Sequence, residues 1–144
     1  MPRAGQSPAA ATAPMPRSTA PATPAVIDVQ LRSSLAGLRA LGRAGLKPIA
    51  MAPTAGAAGM WSRHAHGRSV SADPAADRAG FAAGLAEKAD AQGTLVAYPG
   101  REEAIDGLLD ASKLSPSVVL PFPPAAFRSC ARRPTWRGSR TRAS

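Results

Sequence analysis

The sequence has few cysteines, few aromatic residues and no long apolar segment. One cysteine among 144 residues rules out an internal disulfide, so a reducing, cytoplasmic setting is expected. Aromatic residues make up only 4% of the chain, which leaves few bulky core groups. No apolar run approaches the roughly 20 residues of a membrane-spanning helix, and the N-terminus has no apolar signal segment. Neither a disulfide scaffold nor a membrane or secreted protein is expected.

Acidic residues are absent from both ends of the chain. The net charge is +9, which is typical of proteins that bind nucleic acid or anionic membranes. Residues 1–24 carry two arginines and residues 128–144 carry six, with no Asp or Glu in either segment. Residues 25–127 carry ten Lys or Arg against nine Asp or Glu. The basic character therefore belongs to the ends, and the body of the chain is nearly neutral.

Composition divides the chain into three parts. Residues 1–23 are rich in Pro and Ala and hold almost no large apolar side chains, so they are expected to be disordered. Residues 24–127 contain regular apolar patterns and are expected to form one α/β lobe. Residues 128–144 have no apolar period and are expected to form a basic, unstructured tail.

Short apolar runs alternate with helical patterns in the central part. Strands are predicted at residues 25–29, 46–51, 69–72, 94–98 and 117–122. The helices predicted between them start at a Ser33 or Ser34 cap, at Asp73-Pro74 and after Pro99-Gly100, and a further helix is expected to begin at residues 123–124. Apolar spacing predicts the inner faces of the first three helices: Leu31, Leu35, Leu38 and Leu41, then Phe81, Leu85 and Ala89, then Ile105, Leu108 and Leu109. Strands joined by helices of this length predict an α/β fold with an open parallel sheet of four to five strands, Rossmann-like in type.

The usual signatures of nucleotide, metal and nucleophile sites are missing. No GxGxxG or GxxxxGK[ST] motif occurs, so no phosphate-binding loop is indicated. His64 and His66 form an H-x-H pair without further clustered ligands, and a solvated loop is the better interpretation. Cys130 has no evident activating neighbour, and Ser33 and Ser34 lack a G-x-S-x-G elbow.

Carboxylates near two predicted strand ends are the candidates that remain. Asp28 lies at the C-terminal end of the first strand, the edge where open α/β sheets bind ligands, or it only accepts hydrogen bonds from the following turn. Glu102 and Glu103 follow the fourth strand at the same edge, and their simpler role is to complement the dipole of the next helix.

Four segments of the central part occur in the order VIDVQLRSSLAGLRALGRAGLKPIAMAP, WSRHAHGRSVSADP, LVAYPGREEAIDGL and VVLPFPPAAF. In this order they resemble the N-terminal (pre-ATP-grasp) lobe of ATP-grasp enzymes of the carbamoyl-phosphate-synthase-like and carboxylate–amine ligase-like kind. The resemblance covers residues 24–127, about seven-tenths of the chain. Each segment is moderately specific, and the order and spacing of the four carry the comparison.

The resemblance implies a substrate-side lobe of a ligase that uses ATP and magnesium to activate a carboxylate as an acylphosphate. No cofactor is expected on this chain, because the family holds ATP and magnesium in its other lobes. The implied partners are a small carboxylate substrate and an ATP-binding lobe, with no membrane. No catalytic or metal-binding residue is assigned. The residues implied to line the substrate-side edge are Asp28, Gln30, Arg32, Ser33, Gly100, Glu102 and Glu103.

The chain departs from the family after Phe127, where RSCARRPTWRGSRTRAS replaces the expected charged helix. A truncated family member with an out-of-frame tail would have this sequence, and such a chain is expected to be inactive alone. Two alternatives stay open. The Arg-rich tail with Trp136 could bind nucleic acid, or the lobe could be an adaptor that docks a separately encoded ATP-binding partner.

Overall fold

Five strands and three α-helices make up the part of the chain that the computed structural model describes, residues 21–123. The strands are β1 (Thr23–Val26), β2 (Ile49–Ala52), β3 (Gly67–Val70), β4 (Leu95–Tyr98) and β5 (Val118–Val119). The helices are α1 (Arg32–Arg43), α2 (Arg78–Gln92) and α3 (Glu102–Leu114), with a short 3-10 helix at Ala58–Trp61. None of the helices in this range is long and apolar enough to cross a membrane.

The strands form one parallel sheet in the order β3-β2-β1-β4-β5. In the middle of the sheet Ala25 of β1 lies opposite Ile49 of β2 on one side and Ala97 of β4 on the other. The chain order reverses between β1 and β4, so their carboxyl ends form the topological switch point, where open α/β sheets bind ligands. The predicted open parallel α/β sheet is confirmed.

Each face of the sheet carries its own apolar core. Helices α2 and α3 cover one face, where Phe81, Leu85 and Leu108 pack against β-strand residues such as Ala25 and Leu95. Helix α1 and the 3-10 helix cover the other face, with the buried residues Val26, Val29, Leu38, Ala50 and Met60. This second core involves β1 and β2 only, and Val119 of β5 is 39% exposed. Within residues 21–123, β4 is therefore less covered on the α1 face.

Helix α1 has three of the four residues of the predicted apolar stripe, without Leu31, and it does not have the predicted cap. Leu38 is fully buried, and Leu35 and Leu41 pack against the same cluster. The helix begins at Arg32 with Leu31 as its N-cap, and no side chain caps it, so the prediction that a serine performs this role is wrong. A tight turn, in which the Leu31 N–H donates to the Asp28 carbonyl over 2.9 Å, starts the helix earlier than the serines.

Helix α2 also starts at a different aspartate from the predicted one. Asp73 closes a separate turn, since its Oδ1 accepts from the Ala75 N–H at 3.0 Å and its carbonyl accepts from the Asp77 N–H at 2.8 Å. The helix begins at Arg78, and Asp77 caps it by accepting from the Gly80 N–H at 2.9 Å. The predicted inner residues are buried as expected: Phe81, Leu85 and Ala89.

Helix α3 packs through smaller residues than predicted. Leu108 is buried as expected, but Ile105 and Leu109 are only partly buried. The remaining buried positions are Ala104, Gly107 and Ala111. Small side chains are needed there because α3 approaches α2 closely: a Cβ on Gly107 would lie 2.5 Å from Cδ1 of Phe81. The inner face of α3 therefore consists mainly of alanine and glycine, and the larger Ile105 and Leu109 lie beside it.

Several predictions fall outside the described residues. These concern the N-terminal segment through residue 20, the helix expected from residues 123–124, and the basic tail at residues 128–144. Within the described range, β5 is shorter than predicted, at two residues, β4 begins one residue later than predicted, and the ends of β1, β2 and β3 differ from the predicted ones by one to three residues.

Candidate functional site

Asp28 lies at the centre of the switch point, two residues beyond the end of β1. Its φ of 58° places it in the left-handed region, where a short polar side chain is tolerated better than a branched or bulky one. This conformation turns the chain toward α1 and leaves the residue 1% exposed. A carboxylate buried to this extent requires partners, because unpaired charge is costly away from water.

Arg101, which directly follows β4 and its Pro99-Gly100 turn, supplies the opposite charge. Its Nε donates to Oδ2 of Asp28 and its Nη2 to Oδ1, both over 3.1 Å, and Nη2 also donates to Asp73 Oδ1 over 2.5 Å. The ion pair with Asp28 is thus bidentate, the geometry in which Arg binds a carboxylate best. One guanidinium therefore joins the loops after β1, β3 and β4.

The charges of this cluster shift the ionisation of its members. The hydrogen bond with Asp28 is the main reason that the pKa of Arg101 is raised above its ordinary value. The pKa of Asp73 is lowered, first by the hydrogen bond from the Ala75 N–H and then by Arg101. Both groups are therefore held in their charged forms at neutral pH.

The structure brings only part of the predicted edge together. Gln30 donates from Nε2 to Asp28 Oδ1 over 3.1 Å and so joins the cluster. Glu102 and Glu103 lie exposed in the first turn of α3, which agrees with their simpler role at the helix dipole. Arg32 and Ser33 are exposed at the start of α1. Among residues 21–123, the hydrogen bonds and ion pairs of Asp28 come from Gln30 and Arg101, and none links Asp28 to the side chains of Arg32, Ser33, Glu102 or Glu103.

The start of α1 is a second polar feature beside the cluster. It has no side-chain cap and no acidic residue in its first turn, so its first N–H groups stay available to a ligand. The Oγ of Ser34 is buried and has no hydrogen-bond partner among the described residues. Gly100 packs directly against it: a Cβ at this position would clash with Ser34 Oγ and lie 2.8 Å from the Asp28 Cβ. Only glycine fits between the two loops here.

A cleft of about 380 Å³ opens from this point along α1. Its polar lining is concentrated at Ser33 and Ser34, in the first turn of the helix. The rest of its lining is apolar or glycine apart from the phenol group of Tyr98, and it comes from α1 and from the switch-point strands and their following turn: Val26, Gly37, Ala40, Leu41, Tyr98, Pro99 and Gly100. The cleft is therefore shaped for a small molecule with one polar end and an apolar body.

Sequence reasoning missed three members of this site. Arg101 could have been found, because a carboxylate at the end of a buried strand needs a cation and Arg101 follows the neighbouring strand end. Asp73 was interpreted as a helix cap and Ser34 as a possible one. Their true positions depend on where α1 and α2 begin, which no local pattern determined.

The other sequence candidates are not drawn into the site. His64 lies next to α1, and burial followed by the nearby Arg63, Arg43 and Arg39 lowers its pKa. No group of three or more His, Cys, Asp or Glu residues in the described part of the chain is arranged to hold a metal ion. Cys130 lies outside the described residues.

Comparison of the chain with models of known protein families, with curated proteins and with solved structures gave no match. The residues themselves are therefore the basis for an interpretation of the site.

Proposed function

We propose that the α/β lobe is the substrate-side lobe of an ATP-dependent ligase of the ATP-grasp type. In that reaction a substrate carboxylate oxygen attacks the γ-phosphorus of ATP and ADP leaves, after which an amine attacks the acyl carbon and phosphate leaves. The lobe would bind and orient the carboxylate, while ATP and magnesium would be held by another lobe or chain. This chain alone is then expected to be inactive, and a cytoplasmic location is proposed on the single cysteine.

The observation that carries the proposal is the occupied turn after β1. Dinucleotide-binding sheets use glycines at this position, so that the backbone can approach the phosphates at the start of the first helix. Here the position is filled by the buried Asp28 and its bidentate ion pair with Arg101. A phosphate group in this turn would have to displace that pair, which makes the turn unsuited to ATP. The cleft beside it, along α1, stays open to a substrate.

The neighbouring cleft supports a carboxylate as that substrate. The uncapped start of α1 carries partial positive charge, which attracts an anion, and Ser34 offers an unused hydroxyl donor beside it. The Asp28 carboxylate nearby does not oppose this attraction fully, because Arg101 and Gln30 already bind it. An apolar acid would place its carboxylate at Ser34 and its body along α1.

A first test uses the nucleotide sequence downstream of the Phe127 codon. The proposal expects one of the other two reading frames to encode a charged helix and then a glycine-rich ATP-binding lobe. If neither frame does so, and no neighbouring gene encodes such a lobe, the ligase proposal is wrong.

A second test uses the 144-residue chain itself. Its melting temperature is measured with and without ATP and magnesium, because a ligand that binds only the folded state stabilises it. The proposal expects no change, since the described lobe has no phosphate-binding loop. Stabilisation by ATP and magnesium would contradict the proposal.

A further inference from the structure

The charges of the lobe are separated across the sheet. Residues 29–72 carry six Lys or Arg and no Asp or Glu, whereas residues 73–123 carry four Lys or Arg and eight Asp or Glu. The first range includes α1 and the 3-10 helix on one face, and the second includes α2 and α3 on the other. The body of the chain, which is nearly neutral as a whole, therefore has its charges separated between a basic α1 side and an acidic α2–α3 side.

The exposed cations on the α1 side form a surface that we call the basic face: Arg39, Arg43, Lys47, Arg63 and Arg68. Within residues 21–123, carboxylates pair with Arg78 and Arg101 but with none of these five. No carboxylate within residues 21–123 therefore pairs with these five cations to offset their mutual repulsion. The lowered pKa of His64, caused first by burial and then by Arg63, Arg43 and Arg39, is consistent with this concentration of positive charge.

An exposed aromatic ring stands on the basic face. Trp61 is 71% exposed, although its indole Nε1 donates to the Ala55 carbonyl over 3.0 Å, which orients the ring. The guanidinium carbon of Arg68 lies 5.7 Å from the centre of the ring. Next to the ring is a recess of about 410 Å³ lined by Arg39, Arg43, Trp61, Ser62, Arg63 and His64. An oriented ring beside several cations is the arrangement that binds a base and its flanking phosphates.

We propose that the basic face binds single-stranded nucleic acid, with a base stacked on Trp61 and phosphates held by Arg39, Arg43 and Arg63. Single-stranded rather than duplex nucleic acid is favoured because a base must be unstacked to reach the ring. A purely electrostatic partner, such as an acidic protein surface, would make no use of the oriented indole. The surface shares no lining residue with the switch-point cleft, so this proposal is independent of the ligase proposal.

The test follows the fluorescence of Trp61 in the full chain with the substitution Trp136→Phe, which leaves Trp61 as the only tryptophan. The probe is a single-stranded oligothymidine of about 12 nucleotides, within the range that such surfaces bind. We expect saturable quenching that weakens as the salt concentration is raised. A plot of the logarithm of the binding constant against the logarithm of the salt concentration should have a slope of roughly −2 for three phosphate contacts. Duplex DNA of the same length is expected to quench less.

Matched variants separate the basic face from the arginines of residues 128–144, which also attract anions. The double variant Arg39→Ala/Arg43→Ala is expected to lower the binding constant measured by Trp61 quenching roughly tenfold. It is also expected to reduce the magnitude of the salt slope by about 1 or more. The pair Lys88→Ala/Lys113→Ala removes the same charge from α2 and α3 and is expected to leave quenching unchanged.

Three results would overturn the proposal. The first is oligothymidine binding that leaves Trp61 emission unchanged, which would assign binding to the tail. The second is an equal effect of the two variant pairs. The third is quenching that depends on protein concentration without oligothymidine, which would indicate that the acidic side of a second copy covers the basic face.

Discussion

Replacement of Arg101 by alanine tests whether the switch point is organised by a buried ion pair. Asp28 is 1% exposed and Arg101 is 28% exposed, and two hydrogen bonds of 3.1 Å join them. Arg101→Ala would leave the Asp28 carboxylate in place without its cation. Gln30 would still donate one hydrogen bond to it, and water could enter from the exposed side of the vacated space.

The expected cost follows from the burial of Asp28. Breaking a buried ion pair by removing one partner costs roughly 3–5 kcal/mol, and the partial exposure of Arg101 favours the lower end. We expect the free energy of unfolding to fall by about 3 kcal/mol, which corresponds to a melting temperature lower by roughly 12–24 °C in a lobe of this size. Asp28→Asn in the same chain should recover part of this loss, because Asn is neutral and tolerates a positive φ.

Arg78 provides the matched control in chemical denaturation of the full chain. It makes the same two-pronged contact with Asp110, over 2.6 and 3.0 Å, but its side chain is 52% exposed. Surface pairs contribute about 0–1 kcal/mol, so Arg78→Ala should have a small effect. If Arg101→Ala and Arg78→Ala cost the same, or if Asp28→Asn recovers nothing, Asp28 and Arg101 do not form a buried pair in solution.

Two further predictions concern packing and pH. Gly107→Ala should lower the free energy of unfolding by about 1–3 kcal/mol, because the added Cβ meets Phe81. Gly84→Ala in α2 has open space around it and should raise the free energy of unfolding by up to about 1 kcal/mol. Denaturation of both variants checks this, and a change of the same sign in the two variants would contradict the α2–α3 packing. Arg78 lowers the pKa of Asp110, so this group contributes stability at pH values above its ordinary pKa of 3.8 and loses that contribution as the pH falls below it. Unfolding midpoints measured as a function of pH should therefore decline less steeply in acid for Asp110→Asn. An unchanged decline would contradict the assigned pair.

The elements of the fold were predictable because period and length are local properties. The stripe of Leu35, Leu38 and Leu41 indicated a helix on a sheet, and the helix packs in that way. The packing of α3 was not predictable to the same extent. Its buried Gly107 is explained only by its contact with Phe81, a residue on another helix. Residue size on an inner face depends on how closely two helices approach, which the period of one helix does not contain.

The candidate site was partly predictable for a similar reason. Asp28 and Gly100 lie at strand ends, and parallel topology alone brings such positions to one edge of the sheet. Arg101 and Asp73 join them through one guanidinium that spans three loops, which depends on the relative positions of β1, β3 and β4. The charge separation across the sheet was also hidden, because the net charge of residues 25–127 averages a basic and an acidic side.

The most direct test of the ligase account is a set of three titrations of the ¹⁵N-labelled full chain followed by NMR. Isovalerate serves as a small apolar carboxylate, isoamyl alcohol of the same shape serves as its uncharged control, and ATP with magnesium is titrated separately. The account predicts that isovalerate shifts the amides of Ser33, Ser34 and Gly100, that the alcohol shifts them much less, and that ATP with magnesium leaves them in place. Shifts of the residues 28–34 turn on addition of ATP with magnesium, or none with isovalerate, would contradict a substrate-side role for this edge.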